Sequence, residues 1–237
     1  MESQRTRPLI TTGRTASRLS AAHKHAIQQG LAAYALPSPV PQPLEVELGI
    51  GNGGAMHARA LASPGWHFLG SEIYLNGLKS LLHTLKGQRV PNLSLTSADA
   101  RTLLQTLPTA SVQRLLILFP DPWPKASHHK RRLVQPELLT AAARVLTKGG
   151  ELWVVTDWPD YALHTLATVY GHPQFALAQT GLQARECKVK PATRGGDDSV
   201  LGPHHLATPP AWWAPTKYQE KAAAQGRQPW FISAVRV

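Results

Sequence analysis

The sequence predicts an α/β fold built on a mainly parallel, seven-stranded sheet with helices on both faces. Three observations carry that expectation. From Leu44 onward, short apolar runs alternate with segments whose apolar residues recur at helical spacing, the signature of strand–helix–strand units with right-handed crossovers. A glycine-rich turn, Gly49-Ile50-Gly51-Asn52-Gly53-Gly54, joins the first strand to the helix after it. Glycines there permit a tight turn and let a ligand approach the backbone. The third observation is where the acids fall. Of only 14 acids, Glu47, Glu72, Asp99, Asp121 and Asp157 lie at or near strand ends, and open α/β sheets bind ligands outside those ends.

Taken in order, residues 1–43 read as a basic, proline-rich extension. Arg5, Arg7, Arg14, Arg18 and Lys24 face one acid, Glu2, and the stretch 37–43 (PSPVPQP) is an extended connector. Such an arm either docks nucleic acid or stands free. The domain proper spans 44–237. Its first strand is LEVEL at 44–48, and a helix runs from the glycine turn through about Ala62. The second strand is 66–72 with a helix near 74–86; the third is 93–97 with a short helix near 100–107. The strand at 114–119, carried by the apolar run 115–119, is the fourth, buried on both faces. The helix near 133–147 aligns Val134, Leu138, Ala142, Val145 and Leu146, and Lys148-Gly149-Gly150 is expected to stop it with a left-handed cap. ELWVVTD at 151–157 is the fifth strand, and Ala162, Leu166, Val169 and Tyr170 mark the next helix. FALAQTG at 175–181 and PWFISAVRV at 229–237 supply the last two strands. The stretch between, especially 183–213, reads as a long insertion.

Composition narrows the partners. A net charge of +11 and a pI near 10.2 favour a polyanion. The single cysteine, Cys187, excludes an internal disulfide framework and a cysteine-based zinc site. The 11 histidines form no ligand-spaced set with acids or cysteine, so no metal is expected. No apolar run is long enough to span a bilayer and the N-terminus lacks signal-peptide design, which makes a cytoplasmic enzyme the expectation.

The segment 112–132, VQRLLILFPDPWPKASHHKRR, concentrates the chemistry. Its strand must stop at Pro120 and Pro122, because proline has no N–H for the ladder and restricts the residue before it. The two prolines bracket Asp121. Trp123 follows, either a stacking platform or a packing wedge. Lys125, Lys130, Arg131 and Arg132 form a cluster suited to phosphates, or else a solvated charged face. Glu72 lies about 20 residues beyond the glycine turn, a spacing that suits a carboxylate taking two ribose hydroxyls. Asp99 ends the third strand, where an adenine amino group could donate to it. Helix capping is the alternative reading for Asp157 and Asp99. An acid-rimmed pocket suits a cationic sulfonium donor better than a dinucleotide with its pyrophosphate.

ELGIGNGG, GSEIY, SADA, FPDPWPKASHHKRR, TDWPDYA and APTKYQ, in that order, resemble the tRNA (guanine-N(7)-)-methyltransferase family. The match spans about 44–170 and resumes near 214–237. The resemblance implies a Rossmann-like class I methyltransferase fold that uses S-adenosylmethionine to form 7-methylguanosine in the tRNA variable loop. It also implies that Glu47, Gly49, Gly51, Gly53, Glu72, Asp99 and Asp121 bind the donor, with Asp121 the catalytic acid. Lys125, Asp157, Thr216, Lys217, Tyr218 and Gln219 would face the tRNA, and Lys130, Arg131 and Arg132 its backbone. The last motif departs from the family, which usually reads arginine-proline-threonine-lysine-phenylalanine-glutamate. Ala214, Tyr218 and Gln219 replace the arginine, phenylalanine and glutamate, with Glu220 one place on. Two other readings compete: a non-catalytic RNA-binding protein on a retained methyltransferase fold, and a nicotinamide-dependent oxidoreductase, which accounts only for the glycine turn and Glu72.

Overall fold

The first strand, β1 (Leu44–Leu48), is buried throughout, yet its residues alternate between two environments as the pleat requires. Leu44, Val46 and Leu48 enter the main apolar core. Glu45 and Glu47 occupy the intervening positions and are only 1% and 3% exposed. The computed structural model describes residues 19–88, 90–178 and 209–237. In it β1 lies in a seven-stranded sheet with β2 (His67–Ser71), β3 (Leu93–Thr96), β4 (Val112–Leu118), β5 (Leu146–Thr156), β6 (Phe175–Leu177) and β7 (Trp230–Arg236).

The strand order is β3-β2-β1-β4-β5-β7-β6. The first five strands pair in parallel, and β7 runs antiparallel between β5 and β6. Strand order reverses between β1 and β4, which opens a crevice at their carboxyl ends. Helices α4 (Ala100–Thr106), α5 (Pro136–Val145) and α6 (Pro159–Tyr170) close the largest core, where Leu104, Leu138, Leu139, Tyr161 and Leu166 meet Leu115, Ile117 and Val154. Helices α1 (Ala21–Ala33), α2 (Gly54–Ala62) and α3 (Leu75–Thr84) build a second cluster around Ile27, Met56, Phe68, Leu78 and Leu81. A third, of Leu116, Leu118, Trp153, Val155 and Phe231, is covered by Trp212 and Trp213.

From Leu19 the N-terminal segment is built into this packing. Ser20 caps α1 by accepting from the His23 amide, Ile27 is buried, and the Leu95 amide donates to the Tyr34 carbonyl at 2.8 Å. The expected end of the 133–147 helix is corrected. Helix α5 stops at Val145 and Leu146 is already extended, paired with Val112. Gly149 does take a left-handed φ of +75°, but it lies within β5 rather than at the helix end. The fourth strand likewise begins at Val112, and Phe119 has left it. Most of the 183–213 stretch, the end of the 175–181 strand and Cys187 lie outside the described residues. Among the described residues no helix is long and apolar enough to cross a membrane.

Candidate functional site

The glycine turn folds against the end of β2. Gly49, Gly51 and Gly53 adopt φ of +84°, +58° and +67°, which residues with a Cβ rarely take. The Gly49 and Ile50 amides donate to the Ser71 carbonyl at 2.8 and 3.1 Å. Glu72 then fastens the turn: one carboxylate oxygen accepts from the Gly51 amide and the other from the Tyr74 amide, each at 2.7 Å. Burial pushes the Glu72 carboxyl above its ordinary range, with Asp121 adding to the rise, while the amides of Tyr74, Gly51 and Ile73 oppose it. Helix α3 comes so close that a Cβ on Gly77 would stand 2.1 Å from the Gly51 carbonyl oxygen.

Glu47 is held by a partner that sequence reasoning missed. Arg59, from α2 and 3% exposed, bridges Glu45 at 2.8 Å and also donates to Glu47. Glu45 in turn accepts from Arg114 on β4 at 2.9 Å, and Arg114 reaches Glu151 on β5 at 3.2 Å. Burial raises the Glu47 carboxyl's pKa and Arg59 only partly offsets it. Burial also works against the Arg59 charge, but the two carboxylates outweigh it and keep the guanidinium protonated. A charged group this deep requires a counter-charge, and Arg59 and Arg114 supply it from neighbouring elements.

Asp99 does two jobs with two oxygens. Its Oδ1 caps α4 by accepting from the Arg101 amide at 2.9 Å, as the capping alternative expects. Its Oδ2 is buried and has no hydrogen-bond partner among the described residues. Such an atom is costly unless a donor arrives, and an adenine amino group is a donor of that kind. This orphan acceptor fits the donor nucleoside to the residues present.

Beyond β4 the chain makes a strained loop. Phe119 and Trp123, neither of them glycine, have φ of +50° and +44°; a left-handed residue of this type costs on the order of 1–3 kcal/mol and persists where surroundings over-determine it. Asp121 sits between them at the surface, close enough to shift both Glu72 and Tyr218 electrostatically. Trp123 is engaged within the chain, its ring edge-on to His128 at 5.7 Å and 4.9 Å beneath the Arg131 guanidinium. The basic run coils into a 3-10 turn over Ala126–Arg131 that exposes Lys130 and Arg131, with exposed Lys125 at its N-cap. Arg132 is the correction. It is 1% exposed and bound to Asp160 on α6, so it has no free face for a phosphate.

The segment 216–219 roofs the crevice. Thr216 is buried and its hydroxyl accepts from the Gln219 amide at 3.1 Å, capping α7 (Lys217–Ala224). Thr216, Lys217 and Tyr218 line a small cavity with Glu47, Gly49, Ile50 and Leu118. The Tyr218 ring stacks on Phe119 at 6.4 Å and lies 3.1 Å from where a Gly51 Cβ would project. Burial raises its hydroxyl pKa, as do Glu72 and Asp121. The Trp213 indole donates to the Gln219 side-chain oxygen at 3.0 Å, and Arg114 is sandwiched between Trp66 and Trp212 at 4.5 and 4.2 Å. Tryptophans therefore anchor the roof to the sheet. Asp157 stands apart from helix capping: Trp158 is the N-cap of α6, and Asp157 accepts from Arg227 at 2.7 Å.

Glu47, the glycine turn, Glu72, Asp121 and Tyr218 thus meet at one crevice, with Asp99 capping α4 just past the end of β3. A family model described as "Putative methyltransferase" matches residues 41–232. A tRNA (guanine-N(7)-)-methyltransferase of Rhodospirillum rubrum is 36% identical over 83% of this chain and 68% of that protein. One from Caulobacter vibrioides is 34% identical over 82% and 91% respectively. Among solved structures, the 16S rRNA methyltransferase KamB superposes with a TM-score of 0.54 at 16% identity, covering 95% of this chain and 98% of that one. TrmN from Thermus thermophilus gives 0.50 at 14% identity, covering 90% and 48%. The fold is the Rossmann-like class I methyltransferase fold. With relatives this similar over most of its length, the chain belongs to the tRNA (guanine-N(7)-)-methyltransferase family.

Proposed function

We propose that this protein transfers a methyl group from S-adenosylmethionine to N7 of a variable-loop guanosine in tRNA, in the cytoplasm. The observation that carries the reading is Asp121, set on a strained loop at the carboxyl end of β4 between an acid-rimmed crevice and an exposed basic turn. The donor supplies an electrophilic methyl on a sulfonium. Glu72 would accept from its ribose hydroxyls, Asp99 Oδ2 from its adenine amino group, and the turn at Gly49, Gly51 and Gly53 would let it approach the backbone. Glu47 would face its cationic end.

Guanine N7 attacks with a lone pair and carries no proton, so the step requires no general base. The N7–carbon bond forms, the carbon–sulfur bond breaks with its electrons going to sulfur, and positive charge arrives on the purine. The protein's work is alignment and electrostatics. Asp121 stabilises the charge that develops on the base. Lys125, Lys130 and Arg131 contact phosphates, and Thr216, Lys217, Tyr218 and Gln219 border the acceptor, with Asp157 beyond them. The Gln219 oxygen is occupied by Trp213, so its amide N–H groups are left to face the acceptor.

The test is transfer of labelled methyl to unmodified tRNA followed by nucleoside analysis, with Asp121→Asn alongside. Label in 7-methylguanosine is expected, with turnover down about 100-fold in the variant and tRNA affinity within threefold. Equal losses of turnover and affinity would sink the role given to Asp121. Donor binding without transfer to any tRNA would favour the binding-only reading.

A further inference from the structure

Arg132 is the largest fully buried side chain of the basic run, and the methyl-transfer chemistry above makes no use of it. Its contacts span three elements. The Nε donates to the Pro122 carbonyl at 3.0 Å, on the residue directly after Asp121. One terminal nitrogen donates to His129 Nε2 at 2.9 Å, in the 3-10 turn, and to the Asp160 carboxylate, in the first turn of α6. The guanidinium also lies 5.3 Å from the centre of the Tyr161 ring, and Tyr161 is wholly buried. Its planar fork holds a carbonyl, an imidazole and a carboxylate in one preset geometry, which the compact, freely rotating head of an ammonium does not fix.

The loop it grips is strained at Phe119 and Trp123. A loop of that kind keeps its shape only if something outside it does the holding. We propose that Arg132, braced by Asp160, is a positioning residue: it clamps the Pro122 carbonyl so that Asp121 is held at the crevice while Lys125, Lys130 and Arg131 face outward. The inference rests on the methyltransferase reading for its kinetic consequence, but not for its structural one. The same bonds fix the phase between catalytic acid and phosphate-binding face. A run of adjacent cations thus divides into two outward members and one inward member.

The test uses the full chain with Arg132→Met, Asp160→Asn and the double variant. Methyl transfer gives kcat and KM for donor and tRNA, equilibrium binding gives tRNA affinity at several salt concentrations, and hydrogen exchange follows the amides of 119–125. For Arg132→Met we expect kcat to fall on the order of 10–100-fold. Donor KM and tRNA affinity should stay within threefold, the salt slope should be unchanged, and exchange over 119–125 should accelerate. Asp160→Asn should show a smaller loss of the same kind, and the double variant should lose no more than Arg132→Met alone. If tRNA affinity drops with kcat and the salt slope flattens, Arg132 is a phosphate contact and the clamp is wrong. Unchanged kcat in a folded variant, or additive losses in the double, also overturns it. Should Arg132→Met fail to fold, Asp160→Asn decides by the same criteria. If the unaltered protein methylates no tRNA, the functional reading fails, and exchange over 119–125 alone still decides the clamp.

Discussion

At the scale of single residues, the acids of the crevice are distinguished by what already holds them. Glu72 is bonded to two amides and still has its pKa pushed up by burial. Accepting from ribose hydroxyls favours the ionised form, so donor affinity should weaken as pH falls through Glu72's elevated pKa. That loss begins at a higher pH than for an ordinary glutamate. Donor KM measured from pH 8 down to pH 5 should rise on the acid side, and Glu72→Gln should flatten the rise while lifting KM throughout. An unaltered acid limb in the variant would assign it to another group. The positions of Glu47, Glu72, Asp99 and Asp121 at strand ends were legible from patterning alone. Arg59 was not, although a signal existed: a glutamate inside an apolar strand demands a cation, and α2 (GAMHARALA) offers one arginine. Arg132 was misread because a run of like charges says nothing about which member faces inward. That is settled by Asp160 and Tyr161, on a helix some thirty residues later.

At the scale of elements, α3 and the glycine turn act as one unit. Gly77 lets the helix touch the Gly51 carbonyl, and an added methyl would overlap backbone rather than a yielding side chain. Gly77→Ala should gain up to about 1 kcal/mol of helix propensity, but overpacking costs about 1–3 kcal/mol, so the clash wins. Urea denaturation should show a net loss of stability. Donor KM should rise several-fold as the turn is displaced, with tRNA affinity held; a stable variant with normal donor KM would show that helix and turn move independently. Strand and helix order was legible because apolar runs and helical spacing are local signals. The end of α5 was not, because Gly149 looks like a cap. Pairing of Leu146 with Val112 pulls the chain into β5 early, and the glycine bends the strand instead. Helix α1 was read as part of an extension because what holds it is tertiary: Ile27 and Leu31 meet the cluster around Leu78 and Leu81.

At the scale of the whole molecule, the net charge of +11 favours a polyanion, and on the proposed reading the exposed turn would localise tRNA. Each phosphate contact contributes about 0.7–0.9 to the slope of log affinity against log salt. Replacing Lys130 and Arg131 together should therefore flatten that slope by about 1.4–1.8, measured by tRNA binding between 50 and 200 mM salt. A slope left unchanged would mean that these two cations are only a solvated face. The mainly parallel sheet was legible from strand–helix alternation, but the order in which β6 and β7 join it was not, since that depends on pairing between distant stretches. Among the described strands β6 pairs only with β7, which follows it far along the chain. On the ribosome, then, one margin of the sheet waits for polypeptide that does not yet exist. The roof at 216–219 is translated late as well. A nascent chain carrying every crevice acid is therefore expected to stay catalytically silent until β7 clears the exit tunnel and joins β5 and β6.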